Sequence, residues 1–118
     1  MDKKFHYINL SYLEDLCDGN SEFKKELINI FLAQVPEFIS NMKKYLESGD
    51  NDSLAKEAHT AKSSALIFSM EETGNVLKQI QLLAKDVNTG PLASLINKVE
   101  AHLLQASEEL SNYLDQIS

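Results

Sequence analysis

Apolar residues recur at helical spacing from Leu10 almost to the C-terminus, in five blocks separated by short polar breaks. Leu10, Leu13 and Leu16 make the first block. Ser11 with Glu14 three residues on has the spacing of a capping box, and Asp18-Gly19-Asn20 closes the segment, which predicts a helix over roughly 11–17. A helix that short does not hold together alone in water, so it is expected to lie across one end of a bundle. The second block, capped by Asn20 or Ser21, reaches about Glu47 with Phe23, Leu27, Ile30, Phe31, Phe38, Met42 and Leu46 on its apolar side. Pro36 falls inside it, where a missing backbone hydrogen bond predicts a kink that curves the helix around a core. Phe31, Val35, Phe38 and Ile39 exceed what one stripe needs; most are expected in the core, with one or two candidates for an exposed docking surface.

The cluster Ser48-Gly49-Asp50-Asn51-Asp52 ends that helix and caps a third, over about 52–67, in which Leu54, Ala58, Ala61, Ala65 and Phe68 follow one another by steps of four and three. Ser69 and Glu72 form a second capping-box pattern. It opens a fourth helix to about Val87 with Met70, Thr73, Leu77, Ile80, Ala84 and Val87 as its stripe. After Asn88-Thr89-Gly90, Pro91 suits the first turn of a last helix, and Leu92, Leu95, Ile96, Val99, Leu103, Ala106, Leu110, Leu114 and Ile117 keep one face apolar. No strand-like alternation, repeat or low-complexity tract interrupts this. The pattern predicts an all-α fold, an antiparallel up-down-up-down four-helix bundle with a short extra N-terminal helix, as a single domain over 1–118.

Composition narrows the function. With 118 residues and 43% hydrophobic content the chain can bury one modest core. A net charge of −7 argues against nucleic acid, whose phosphates demand Lys and Arg, and suits solubility or the steering of a partner with a basic rim. Cys17 is alone, so no internal disulfide forms; it is expected to be a small buried side chain in a reducing compartment. Met1 to Leu10 contains Asp2, Lys3, Lys4 and His6, unlike a signal peptide, and no run approaches a membrane span. A cytoplasmic protein with no membrane contact is expected. Lys3, Lys56 and Val99 stand three residues before His6, His59 and His102, so the Glu-x-x-His pairs of di-iron bundles are absent. A zinc His-Glu-x-x-His motif, paired cysteines and a glycine-rich phosphate loop are absent too, so no metal, cofactor or ATP site is expected. His102 flanks an apolar face and is expected to be structural, as is His6.

What remains is His59. By the helical wheel it lies roughly 140° from the centre of the third helix's stripe, with Lys62 about 60° and Ser63 about 40° around from it, so it should face solvent. Imidazoles are largely uncharged and nucleophilic near neutral pH. Lys62 can reach the same patch, and the small Ser63, Ser64 and Ala65 leave room for another protein to approach. Leu66 and Ile67 also fall outside the core stripe, either packing at the helix end or joining a partner contact. His59 is ten residues before Ser69 and Gln81 twelve after it, which places them about 15 and 18 Å from the tight turn, level with one another. Gln81 and Lys85 both lean toward one edge of the fourth helix, where either could reach the imidazole or be an ordinary flanking polar residue.

The stretch Ala58-His59-Thr60-x-Lys62-x-Ser64 resembles the signature of the histidine-containing phosphotransfer (HPt) domains of two-component phosphorelays, and the helix pattern resembles theirs over essentially the whole chain. The resemblance implies that His59 accepts a phosphoryl group, Lys62 is the cation beside it, Gln81 lies next to the imidazole, and Lys85 is a basic residue one turn further. Ser63, Ser64, Leu66 and Ile67 would then contact the partner. That partner would be a receiver domain of a response regulator or hybrid kinase, which supplies the Mg²⁺, and the chain would act as a monomeric phosphotransfer protein without a kinase site. Two positions depart from the family: glycine is usual where Ser63 stands and frequent where Ser69 stands. The first motivates an alternative, a non-transferring adaptor that binds receivers or partner helices.

Overall fold

Five helices account for most of residues 8–117, the part of the chain that the computed structural model describes: α1 (Ser11–Cys17), α2 (Ser21–Ser48), α3 (Asn51–Ile67), α4 (Glu71–Lys85) and α5 (Leu92–Ile117). His6 lies outside the described residues. Helices α2, α3, α4 and α5 close a ring in which each packs on the next and α5 returns to α2, while α1 lies on α2. The short connections make successive helices antiparallel, and the molecule is 44 Å long and about half as wide.

Local chemistry explains where the helices begin and end. The Asn20 side chain accepts from the Phe23 N–H at 3.0 Å and the Asp50 carboxylate from the Ser53 N–H at 3.1 Å, each satisfying a donor that a first helical turn leaves open. Hydrogen bonding from Ser53, its side chain first and this N–H second, holds the Asp50 carboxyl below the usual carboxylate range. At the far ends, α2, α3 and α4 share one device. Gly49, Ser69 and Val87 take left-handed backbone angles, φ 75°, 57° and 56°. Their N–H groups and those of the following residues turn back to the last free carbonyls: Leu46 and Tyr45, Leu66 and Ala65, Ala84 and Leu83.

Several expectations are corrected by these ends. The Ser11–Glu14 capping box does not form, because Asn9 Oδ1 takes the Ser11 N–H at 2.8 Å. The Ser69–Glu72 box does not form either, because Ser69 is spent on the left-handed turn and α4 starts after Met70 without a side-chain cap. Val87 stands outside the helix and is 69% exposed rather than in the core stripe, again because the chain turns there. Leu16, Phe23 and Ile30 are exposed as well. Helix α2 runs unbroken through Pro36.

The core is otherwise the one the wheel outlines. Leu54, Ala58, Ala61 and Ala65 of α3 are completely buried, as are Leu77 and Ile80 of α4 and Val99, Leu103, Ala106 and Leu110 of α5. Phe31 and Phe68 meet with ring centroids 4.6 Å apart at the end that carries the α3–α4 turn. That end is tied by polar contacts. Lys24 Nζ donates to Glu14 and to the Tyr113 hydroxyl, both at 2.9 Å, joining α1, α2 and α5, and these two bonds push the Lys24 ammonium's pKa up. The Asn9 N–H donates to the Phe68 carbonyl at 2.9 Å. Cys17 is buried, and burial, with a lesser push from Glu14, raises its thiol pKa, which suppresses thiolate reactivity.

Candidate functional site

Alanine is why the site helix sits where it does. Ala55, Ala58, Ala61 and Ala65 give α3 a thin inner face, and Gly74 of α4 is buried so tightly that a methyl group built on it would stand 3.1 Å from Leu66 Cδ2. Small residues let two backbones approach closely, and α3 and α4 accordingly share the most extensive contact in the bundle. The side chains at the edges of this seam are brought together from both helices.

On the outer side of α3, beside the seam, a cleft of about 740 Å³ is lined by Asp52, Ala55, Lys56, His59, Thr60, Gln81 and Lys85. His59 is exposed, and Gln81 of α4 is half-buried beside it, so the level placement expected from helical rise holds in three dimensions. Lys85 follows one turn later and is exposed. The structure thus unites His59, Gln81 and Lys85 around one opening. Lys62 is not part of that lining. It is half-buried, its Cγ 3.9 Å from where a Gly74 methyl would stand, which puts its stem on the α4 shoulder of α3.

The four residues expected to meet a partner separate into two groups. Leu66 lies over Gly74 on the α4 side and is 39% exposed. Ser64 and Ile67 turn the other way and line a groove of about 110 Å³ between α2 and α3 with Leu27, Ile30, Gln34 and Phe68. Ser63 is exposed near His59, and its hydroxyl donates to the His59 carbonyl at 3.2 Å, so the side chain folds back along its own helix. Thr60 does the same toward the Lys56 carbonyl at 3.1 Å. Behind the site, Asn41 of α2 donates to the Glu57 carboxylate at 3.1 Å, bracing the face of α3 opposite the seam.

Asp52, Lys56 and Thr60 join the lining although the sequence pattern assigns none of them a role at the site. Their signal was available in principle, since they recur at steps of four around His59 on the outer face of α3, but a polar outer face is what any surface helix shows. Among the described residues no group of three or more His, Cys, Asp or Glu is placed to hold a metal ion, and no helix is long and apolar enough to cross a membrane. Chemically, the cleft offers a solvent-facing imidazole, an amide able both to donate and to accept, and lysines that can offset a developing negative charge.

Comparison with known proteins gives the family and the fold. A family model described as the Hpt domain matches residues 26–118. The phosphorelay intermediate protein YPD1 of Candida albicans (strain SC5314 / ATCC MYA-2876) is 29% identical over 78 residues, 66% of this chain. The match spans 42% of that relative, so the chain accounts for less than half of the curated protein it resembles. The crystal structure of histidine-containing phosphotransfer protein B (HptB) from Pseudomonas aeruginosa PAO1 has the same fold, with a TM-score of 0.87 at 15% identity over 93% of this chain and 96% of that one.

Proposed function

Because the chain belongs to the Hpt domain family, we propose that it is a phosphorelay intermediate: His59 takes a phosphoryl group from the aspartyl phosphate of one receiver domain and passes it to the aspartate of another. The observation that carries this reading is the exposed imidazole of His59 sharing one cleft with Gln81 and Lys85 of the neighbouring helix. In the forward step the lone pair of an imidazole nitrogen attacks phosphorus and a P–N bond forms. The P–O bond to the donor carboxylate breaks, the carboxylate leaves with the bonding pair, and the ring's other nitrogen releases its proton to solvent. The second transfer runs the same step in reverse onto a new carboxylate.

Such transfer depends mainly on alignment and on offsetting charge at the phosphoryl oxygens. Helix α3, seated on its alanine seam, supplies the alignment. Lys85 from the far wall and Lys62 from the α4 shoulder supply positive charge, and Gln81 orients the ring or a phosphoryl oxygen. The chain brings no cofactor; Mg²⁺ belongs to the receiver, and a kinase elsewhere starts the relay. It works as a cytoplasmic monomer.

The test is to mix the protein with a receiver carrying labelled aspartyl phosphate and to follow label into an acid-labile species. Wild type should take label and His59→Gln should not; label retained by His59→Gln would overturn the site. A second reading, an adaptor that binds receivers without taking phosphate, rests on Ser63 in the place where glycine is usual. The Ser63 hydroxyl lies against the His59 carbonyl and keeps its bulk low. Receiver binding without any uptake of label would select the adaptor.

A further inference from the structure

Lys56 stands three residues before His59 as Lys62 stands three after, so the two lysines flank the imidazole at about 60° on opposite shoulders of α3, with Cβ atoms about 5–6 Å from that of His59. Their surroundings differ. The Lys62 stem is half-buried beside Gly74, on the shoulder that α4 covers. Lys56 is exposed, lines the cleft together with His59, Gln81 and Lys85, and has no ion pair among the described residues. The one acid in the cleft lining is Asp52, four residues before Lys56 on the same wall.

A phosphoryl group brings roughly −1.5 to −2 charge near neutral pH. Lys85 and Lys62 answer it from α4 and from the α4 shoulder, which leaves the opposite shoulder of α3 without a counter-charge unless Lys56 provides one. We propose that Lys56 is a charge-stabilising residue for the phosphorylated form, meeting the phosphoryl group on the side away from α4, and that Asp52 opposes it. In the unphosphorylated cleft Asp52 stands four residues before Lys56 with no ion pair between them, and Lys56 also acts through its charge on Asp50 at the start of α3. On phosphorylation Lys56 meets the phosphoryl oxygens, while Asp52 repels them. The inference rests on His59 as the acceptor and adds to it a built-in balance of one cation and one anion that sets how strongly the phosphoryl charge is held.

The electrostatics can be read directly from the phosphoryl group's own second protonation, which a nearby cation disfavours and a nearby anion favours. The full chain is loaded with phosphoramidate, whose P–N bond breaks as the bond to His59 forms and ammonia leaves, and the phosphohistidine resonance is titrated by phosphorus NMR. Lys56→Gln should raise the proton affinity of the phosphoryl group by about 1.5-fold to fivefold, the range for exposed charges at this separation. Lys56→Arg should restore the wild-type titration and Asp52→Asn should lower the affinity. High ionic strength should bring all four proteins together. A Lys56→Gln titration that overlays wild type at low salt overturns the role of Lys56 and leaves His59 as acceptor. If the wild-type chain shows no phosphohistidine signal from phosphoramidate or from a phosphorylated receiver, the reading of His59 fails and this inference fails with it.

Discussion

Thr73 of α4 and His102 of α5 share a hydrogen bond of 2.8 Å between the Thr73 hydroxyl and His102 Nδ1, and both side chains are buried. Burial, with Lys98 adding a smaller push against Glu72, holds the His102 pKa below the ordinary histidine value of 6.5. A depressed pKa means that the folded state keeps the imidazole neutral where the unfolded chain would protonate it. The resulting contribution to stability is therefore complete above pH 6.5 and is lost as pH falls through the lower folded value.

Thermal melts of wild type and His102→Gln across this range should converge. The wild-type advantage should be greatest above pH 6.5 and shrink toward pH 5, on the order of the interval over which a histidine titrates. Parallel curves over the whole range would show that His102 is not the titrating group.

Gln81→Ala should slow phosphoryl uptake from a receiver about tenfold to a hundredfold, the range for losing one group that orients reacting atoms. Its melting temperature should stay within experimental scatter, because Gln81 is a half-buried cleft residue and not a core one. Single-turnover transfer at saturating receiver separates this from weaker docking; an unchanged rate constant would remove Gln81 from the mechanism.

Gly74→Ala has a sign that the geometry decides. The new methyl would meet Leu66 Cδ2 at 3.1 Å, but Leu66 is 39% exposed and its end can swing away by a few tenths of an ångström. The gain from replacing a glycine in the first turn of α4 is at most the ~1 kcal/mol of a helix interior, so chemical denaturation should show equal or higher stability. A loss above about 1 kcal/mol would mean that Leu66 is held more firmly than its exposure suggests.

Val87→Gly should stabilise the fold. A β-branched residue at φ 56° is strained, and its exposed side chain contributes little packing in return. Relief of about 1 kcal/mol is expected, read as a higher denaturant midpoint with unchanged slope. A lower midpoint would show that the valine makes contacts worth more than its strain.

The bundle was legible because burial and period coincide: every member of the α3 stripe from Leu54 to Phe68 is at most 1% exposed. Helix ends were less so. Serine followed by an acid three residues later occurs both in capping boxes and in chance polar runs, and neither Ser11 nor Ser69 caps a helix, because Asn9 and a left-handed turn claimed those positions. Within the site, the axial level of His59 and Gln81 followed from rise per residue alone. Which lysine shares the opening did not, since a wheel places Lys56 and Lys62 symmetrically and only the course of α4 along one shoulder distinguishes them.

The alanine seam beneath His59 has a mechanical consequence. Long apolar side chains under a helix can switch rotamers and let it roll; methyl groups have no such freedom, so the segment from Ala55 to Ala65 is a stiff ledge set by main-chain proximity. The His59 ring is therefore left with little besides rotation about its own side-chain bonds. In the proposed relay, substitutions along the rim would retune which protein docks without loosening the angle of attack.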